Sequence, residues 1–226
     1  MIGKIGFRVE TEIERLPFGQ LELLYPFACA QLSDGVNKFY TMDSGIRQLF
    51  HAPRFIGSAI TVKTRSADNL MVHKAISLIR PGDVLVVDTQ GCRNYSLMGE
   101  LMVSCMKHLG LVGIVADGCV RDLDDLEKIG IPVFARGTTP AVGDKDGPGE
   151  INVPISCGGV VVMPGDIVVG DADGVVVIPK ADIAEVATQA ARKASYEEKR
   201  RQSIADGVYV KPDIDALLAK KGLIFE

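Results

Sequence analysis

The sequence predicts an α/β fold with a central sheet of mixed direction, flanked by helices and followed by a β-rich second half. Three observations predict it. Short apolar runs of the kind that fill buried strands, V-L-V-V-D at 84–88 and Leu111–Ala116, alternate with stretches of helical period. Further short apolar segments at 151–155, 160–163, 167–170 and 174–178 then follow one another with Gly and Asp turns between them, a spacing that favours antiparallel hairpins. Finally, 180–206 carries Ile183, Val186, Ala187, Ala190, Ala191 and Ala194 at helical spacing, ahead of the charged run Y-E-E-K-R-R-Q.

Taken in order, residues 1–17 are mixed and charged and end at Pro17, which reads as an arm ordered by a neighbouring subunit. Leu21, Leu24, Phe27 and Cys29 recur at helical spacing, interrupted by Pro26. Ser33-Asp34 then begins a turn or helix, as a cap. Arg54–Thr64 is rich in β-branched residues and reads as a strand, with Gly57 marking a bend. Asp68–Ile79 reads as a helix with Leu70, Met71, Ala75, Ile76 and Ile79 on one side, and His73 on it reads as an ordinary helix residue rather than a ligand. Pro81-Gly82-Asp83 turns the chain into the strand at 84–88, and the same phrase returns at Pro164-Gly165-Asp166, which suggests two turn–strand units used alike. Residues 89–96 read as a polar corner. Leu97–His108 reads as a helix with Leu101, Cys105 and Leu109 in register and Gly110 as its stop. Residues 136–150 are rich in Gly, Pro and charge and read as a mobile loop. Residues 212–221 read as a short terminal helix.

Length and composition set outer limits. The chain has 226 residues, 47% of them hydrophobic, enough for a buried core, and it reads as one domain over 1–226 with a helical segment at 180–226. A net charge of −4 gives no basic footprint for nucleic acid. No apolar run is long enough for a membrane span. The N-terminus lacks a secretory apolar core, so a cytoplasmic location is the default. Cys29, Cys92, Cys105, Cys119 and Cys157 form no C-x-x-C and are odd in number, so they read as reduced thiols.

The chemistry gathers at G-I-V-A-D-G-C-V-R-D-L-D-D-L, Gly113–Leu126. The apolar strand reaches a turn at Asp117-Gly118, and Asp122 is placed to cap a short helix ending near Gly130. Asp117, Arg121, Asp122, Asp124 and Asp125 fall at a strand-to-helix corner, where ligands bind in alternating α/β folds. Upstream, Gly99-Glu100-Leu101-Met102 sits at or near a helix N-terminus, whose free amides suit a carboxylate.

Together these two segments resemble the RraA-like family, which includes the regulator of ribonuclease activity A and the 4-hydroxy-4-methyl-2-oxoglutarate aldolases. The family signature is an acidic residue, twenty residues, Arg-Asp, two residues, then an acid. Here it reads Glu100, twenty residues, Arg121-Asp122, two residues, Asp125. The resemblance spans roughly Leu32–Lys199. It implies a swivelling β/β/α-type fold and a class II, divalent-metal-dependent (Mg²⁺ or Mn²⁺) pyruvate aldolase that also decarboxylates oxaloacetate. It implies that Asp122 contacts the metal, that Glu100 and Asp125 hold its waters, and that Arg121 contacts the keto-acid oxygens. The backbone of Gly99, Glu100, Leu101 and Met102 would hold the pyruvyl carboxylate. It further implies a homotrimer or hexamer in which Glu197 or Glu198 of an adjacent subunit approaches the metal, and a place near the pocket for Ser33-Asp34. Glu100 stands where the family often has the shorter Asp. The alternative function is a non-catalytic regulator that binds and inhibits a ribonuclease. No G-x-G-x-x-G supports the methyltransferase label carried by some relatives.

Overall fold

The computed structural model describes residues 1–211 and 213–223. In chain order its elements are α1 (Phe18–Leu21), α2 (Cys29–Gly35), β1 (Arg47–Gln48), β2 (Phe55–Thr64), α3 (Leu70–Ala75), β3 (Asp83–Ser96), α4 (Glu100–His108), β4 (Gly113–Val120), α5 (Leu123–Ile129) and β5 (Val133–Thr138). They continue with β6 (Gly149–Ile151), β7 (Ile155–Cys157), β8 (Val160–Val162), β9 (Ile167–Asp171), β10 (Gly174–Ile178), α6 (Ile183–Ala205) and α7 (Ile214–Lys220). The start of the predicted terminal helix at Pro212 and the last residues of the predicted helical segment, 224–226, lie outside the described residues.

The predicted mixed sheet is present. Its order is β1-β5-β4-β3-β2-β9-β10, with β6 also on β2. The middle strands β2, β3, β4 and β5 run parallel, joined by helical crossovers, while β1, β6, β9 and β10 are antiparallel additions. β7 and β8 form a separate antiparallel pair. The parallel strands read as continuous apolar runs because helices and the β7–β8 pair cover both faces. One apolar cluster lies between the sheet and α3–α5 (Ile60, Leu85, Val103, Met106, Ile114, Leu126), and a second lies under the β7–β8 pair (Phe134, Val86, Val115, Ile155, Val162). A third, around Leu24, Leu32, Ile167, Val186 and Ala190, seats α2 and α6 against β9 and β10.

Several expectations are corrected. β4 does not turn at Asp117-Gly118; it runs on to Val120, with a register irregularity between Ala116 and Cys119. The polar stretch 89–96 is a continuation of β3, irregular at Asp88, Cys92 and Ser96, because its backbone still finds β4 as a partner. α4 starts at Glu100, and Leu101, Cys105 and Leu109 face outward, Leu101 being 77% exposed; Val103 and Met106 make the core contact. Gly57 marks a close approach rather than a bend: a Cβ there would lie 2.3 Å from the Gly82 carbonyl oxygen. Ser33-Asp34 lies inside α2, not at a cap, and Asp34 is held by Lys193 at 2.7 Å against α6. The loop 139–148 is anchored, since the buried Asp68 carboxylate accepts the amides of Asp146 and Gly147 at 2.8 and 2.7 Å.

The repeated P-G-D phrase does fold alike. In each copy the Asp caps its own turn, Asp83 accepting the Arg80 amide at 2.7 Å and Asp166 the Met163 amide at 2.9 Å, and the two strands that follow flank β2. The N-terminal arm crosses both turns. Arg15 donates to both oxygens of Asp83, at 2.7 and 2.9 Å, and Glu14 pairs with Lys180 beside Asp166. Within the chain, these contacts hold the arm against the sheet. Among the described residues no cation pairs with Asp166, and burial raises its pKa.

Candidate active site

The candidate site lies at the carboxyl ends of the parallel strands, where β4 ends and the β3–α4 connection passes over it. Gly99 is the N-cap of α4, and a helix leaves its first-turn amides without intrahelical partners. Asp122, at the N-cap position of α5 with left-handed backbone (φ 59°), does not cap its own helix. Its Oδ2 instead accepts the amide of Glu100 at 3.0 Å, and so caps α4. Arg121 is fixed through its backbone amide, which donates to the Met98 carbonyl at 3.0 Å, and its Nε lies 3.5 Å from Asp122 Oδ2. Glycine at 99 leaves room for the pair: a Cβ there would stand 2.1 Å from Asp122 Oδ2 and 2.9 Å from Arg121 Cγ, and both side chains would have to move. The two halves of the motif, some twenty residues apart, thus meet over one glycine.

Arg121, Asp122, Gly99, Leu101 and Met102 line one cavity of about 310 Å³, within the range of small-ligand sites. Glu100 and Asp125 face a neighbouring depression with Lys128. Glu100 Oε1 accepts the Ser104 hydroxyl at 3.1 Å, and Asp125 pairs with Lys128 at 2.8 Å. Among the described residues, no three His, Cys, Asp or Glu side chains converge as a metal cage. A single Asp122 carboxylate still suits a hydrated Mg²⁺, which keeps most of its waters. Its Oδ1 accepts no hydrogen bond among the described residues, while Oδ2 is held by the Glu100 amide.

Other predicted residues lie apart. Asp117 points into the sheet's other side, where Arg136 meets it at 2.6 Å. Asp124 is exposed. Within the chain Glu197 packs toward α2, accepting a hydrogen bond from Gln31 at 2.8 Å, and Glu198 is exposed beside Arg201. Lys107 donates to the Ile129 carbonyl.

The sequence reading missed the far wall of the cavity, made by Asn69, His73, Val142, Gly143 and Lys145. His73 is half-buried there, and burial, with Lys145 nearby, lowers its pKa. Lys145 lies in a loop whose composition suggested only mobility; the buried Asp68 that anchors it was the available signal. A cleft of about 350 Å³ between the arm and β2 carries Arg8, Lys63 and Arg65 but none of the motif residues.

Comparison with known proteins shows the family. The family model RraA-like (Aldolase/RraA) matches residues 29–177. A protein of Halalkalibacterium halodurans named putative 4-hydroxy-4-methyl-2-oxoglutarate aldolase is 42% identical over 81% of this chain and 86% of its own. The crystal structure of Streptomyces coelicolor RraAS2, described as an unusual member of the RNase ES inhibitor RraA family, superposes with a TM-score of 0.75 at 28% identity, covering 83% of this chain and 99% of that one. The RNA-processing inhibitor RraA from Thermus thermophilis gives a TM-score of 0.62 at 30% identity over 67% of this chain and 92% of that one. With more than half its length matched by the family model and its fold shared with RraA structures, the chain belongs to the RraA-like family.

Proposed function

We propose that the chain is a divalent-metal-dependent lyase that cleaves 4-hydroxy-2-keto diacids of the 4-hydroxy-4-methyl-2-oxoglutarate type to pyruvate, and that it decarboxylates oxaloacetate. The observation that carries this reading is the meeting of Arg121, Asp122 and the α4 N-terminus over Gly99 in one cavity. The aldolase names of relatives support the same class.

Both reactions pass through a pyruvate enolate, so a catalyst must stabilise negative charge on the C2 oxygen. Asp122 would hold the cation through Oδ1, with Glu100 and Asp125 holding its waters. Once bound, Mg²⁺ or Mn²⁺ polarises the C2 carbonyl. Arg121 presents a planar donor fork to the same oxygen and offsets the charge that grows there. The first-turn amides of α4, at Leu101 and Met102, receive the pyruvyl carboxylate. A water carries the proton to or from the methylene. In a homotrimer or hexamer an adjacent subunit would add Glu197 or Glu198, and Glu198 is the one this chain leaves exposed.

The competing chemistry is a Schiff base. Lys107 and Lys128 are engaged elsewhere, and Lys145 lines the cavity. The two routes separate cleanly. The metal route gives pyruvate from oxaloacetate and from 4-hydroxy-2-keto diacids with Mg²⁺ or Mn²⁺, loses that activity in EDTA, and leaves no covalent adduct when pyruvate and borohydride are added together. No turnover on any keto acid with metal present would overturn the reading.

A second reading, a regulator that contacts a ribonuclease, is favoured by the likeness to structures described as inhibitors. A pull-down in which Asp122→Ala leaves ribonuclease binding unchanged, in a protein without turnover, would support it.

A further inference from the structure

The far wall of the cavity carries chemistry that the motif does not use. His73 stands one turn along from Asn69, its amide donating to the Asn69 carbonyl at 3.0 Å, so both side chains reach the cavity from α3. Lys145 reaches it from the loop. Asp68 locks these two elements together. Its Oδ1 accepts the Leu70 amide at 3.0 Å, its Oδ2 accepts the amides of Asp146 and Gly147, and the Asn69 amide donates to the Asp144 carbonyl at 2.9 Å. The wall is therefore set before any ligand arrives.

Its donors have not all been used. The Asn69 side-chain amide donates to the Leu97 carbonyl at 3.0 Å, but neither ring nitrogen of His73 has a hydrogen-bond partner among the described residues. An unpartnered, half-buried imidazole near Lys145, on a wall whose lining holds no carboxylate, has a ring N–H to offer to an incoming acceptor. The acid of the cavity, Asp122, is on the motif side with Arg121. A ligand seated there by its keto-acid end would direct its other end at His73.

We infer that His73 is a specificity-determining residue that receives the second carboxylate of a dicarboxylic 2-keto acid, so that the cavity selects diacids over monoacids. This rests on the keto-acid reading of the motif wall. The full chain is titrated calorimetrically, with Mg²⁺ present, against pyruvate and against 2-oxoglutarate, which has a second carboxylate but no 4-hydroxyl and cannot be cleaved. Wild type binds 2-oxoglutarate about tenfold more tightly than pyruvate, the order of one charge-assisted hydrogen bond. His73→Gln abolishes that preference and leaves pyruvate affinity intact, which also shows that the variant is folded; His73→Lys restores part of it. A preference unchanged in His73→Gln, or both ligands weakened equally, overturns the inference. If wild type shows the preference, and His73→Gln loses it, but no substrate is cleaved, the lyase reading fails and the carboxylate contact stands. Wild type binding neither ligand overturns both.

Discussion

Two Arg–Asp pairs sit at the same end of the same strands and have opposite characters. Arg136 and Asp117 form a closed set. Arg136 donates to Asp117 at 2.6 Å and to both oxygens of Asp43 at 2.7 Å, and Asp117 also accepts the Gly158 amide at 3.0 Å. The two side chains are 15% and 10% exposed. Arg121 and Asp122 are 41% and 39% exposed, stand 3.5 Å apart, and both line a cavity. The first pair has its partners and holds strands together. The second is fixed by backbone hydrogen bonds and, among the described residues, has no side-chain partner beyond its own pairing. Proximity of charge in sequence does not separate the two; what each charge has left to bind does.

The comparison breaks most visibly in stability. Arg136→Met would leave Asp117 buried without its cation and should cost about 3–5 kcal/mol in denaturant unfolding, whereas Arg121→Met should cost under about 1 kcal/mol. Activity should show the reverse. Arg121→Ala and Asp122→Asn should each lower kcat for oxaloacetate decarboxylation by about 10²–10³-fold, the size of losing one preorganised charge contact. Asp122→Asn keeps an acceptor for the Glu100 amide, so its circular dichroism should match wild type. Gly99→Ala should come next. Its backbone (φ −143°) tolerates alanine, but the new methyl displaces both Asp122 and Arg121, and a shift of about 1 Å costs on the order of 10²-fold in rate with little change in stability.

The smallest effect concerns pH. The Arg136 guanidinium beside Asp43 holds that carboxyl below its ordinary range. A pKa depressed in the folded state means stability that is present above the unfolded value of about 3.9 and lost as pH falls through the folded one. Below about pH 4, wild type should therefore lose more stability than Asp43→Asn, by under about 1 kcal/mol because Asp43 is half exposed. Equal acid sensitivity in the two proteins would mean that the Arg136 cluster is looser than its geometry.

Much of the scaffold was legible because it depends on local pattern. Apolar runs located β2 and the buried starts of β3 and β4, helical spacing located α6, and the P-G-D echo located two equivalent turns. The Gly99 and Arg121-Asp122 segments were legible as a site because their residue types and spacing are unusual together. What was not legible depends on who pairs with whom. Asp117 looked like part of the corner until Arg136, nineteen residues on, claimed it. Asp122 looked like the cap of α5, but its left-handed backbone turns the carboxylate to α4. His73 looked like an ordinary helix residue because the loop that faces it is anchored by contacts distant in sequence, among them that of Asp68 with the Asp146 amide, across seventy-eight residues. The register of 89–96 was hidden for a similar reason: polar residues continue a strand when a neighbouring strand still offers hydrogen bonds.

The central claim is that the Arg121–Asp122 corner stabilises a pyruvate enolate, and the most direct measurement is exchange of the pyruvate methyl protons for deuterium, followed by NMR in D₂O with Mg²⁺. It needs no knowledge of the physiological substrate. Wild type should exchange the methyl protons well above the protein-free rate, and EDTA or Arg121→Ala should return the rate to that background. Wild-type exchange no faster than free Mg²⁺, or exchange undiminished in Arg121→Ala, would contradict the account.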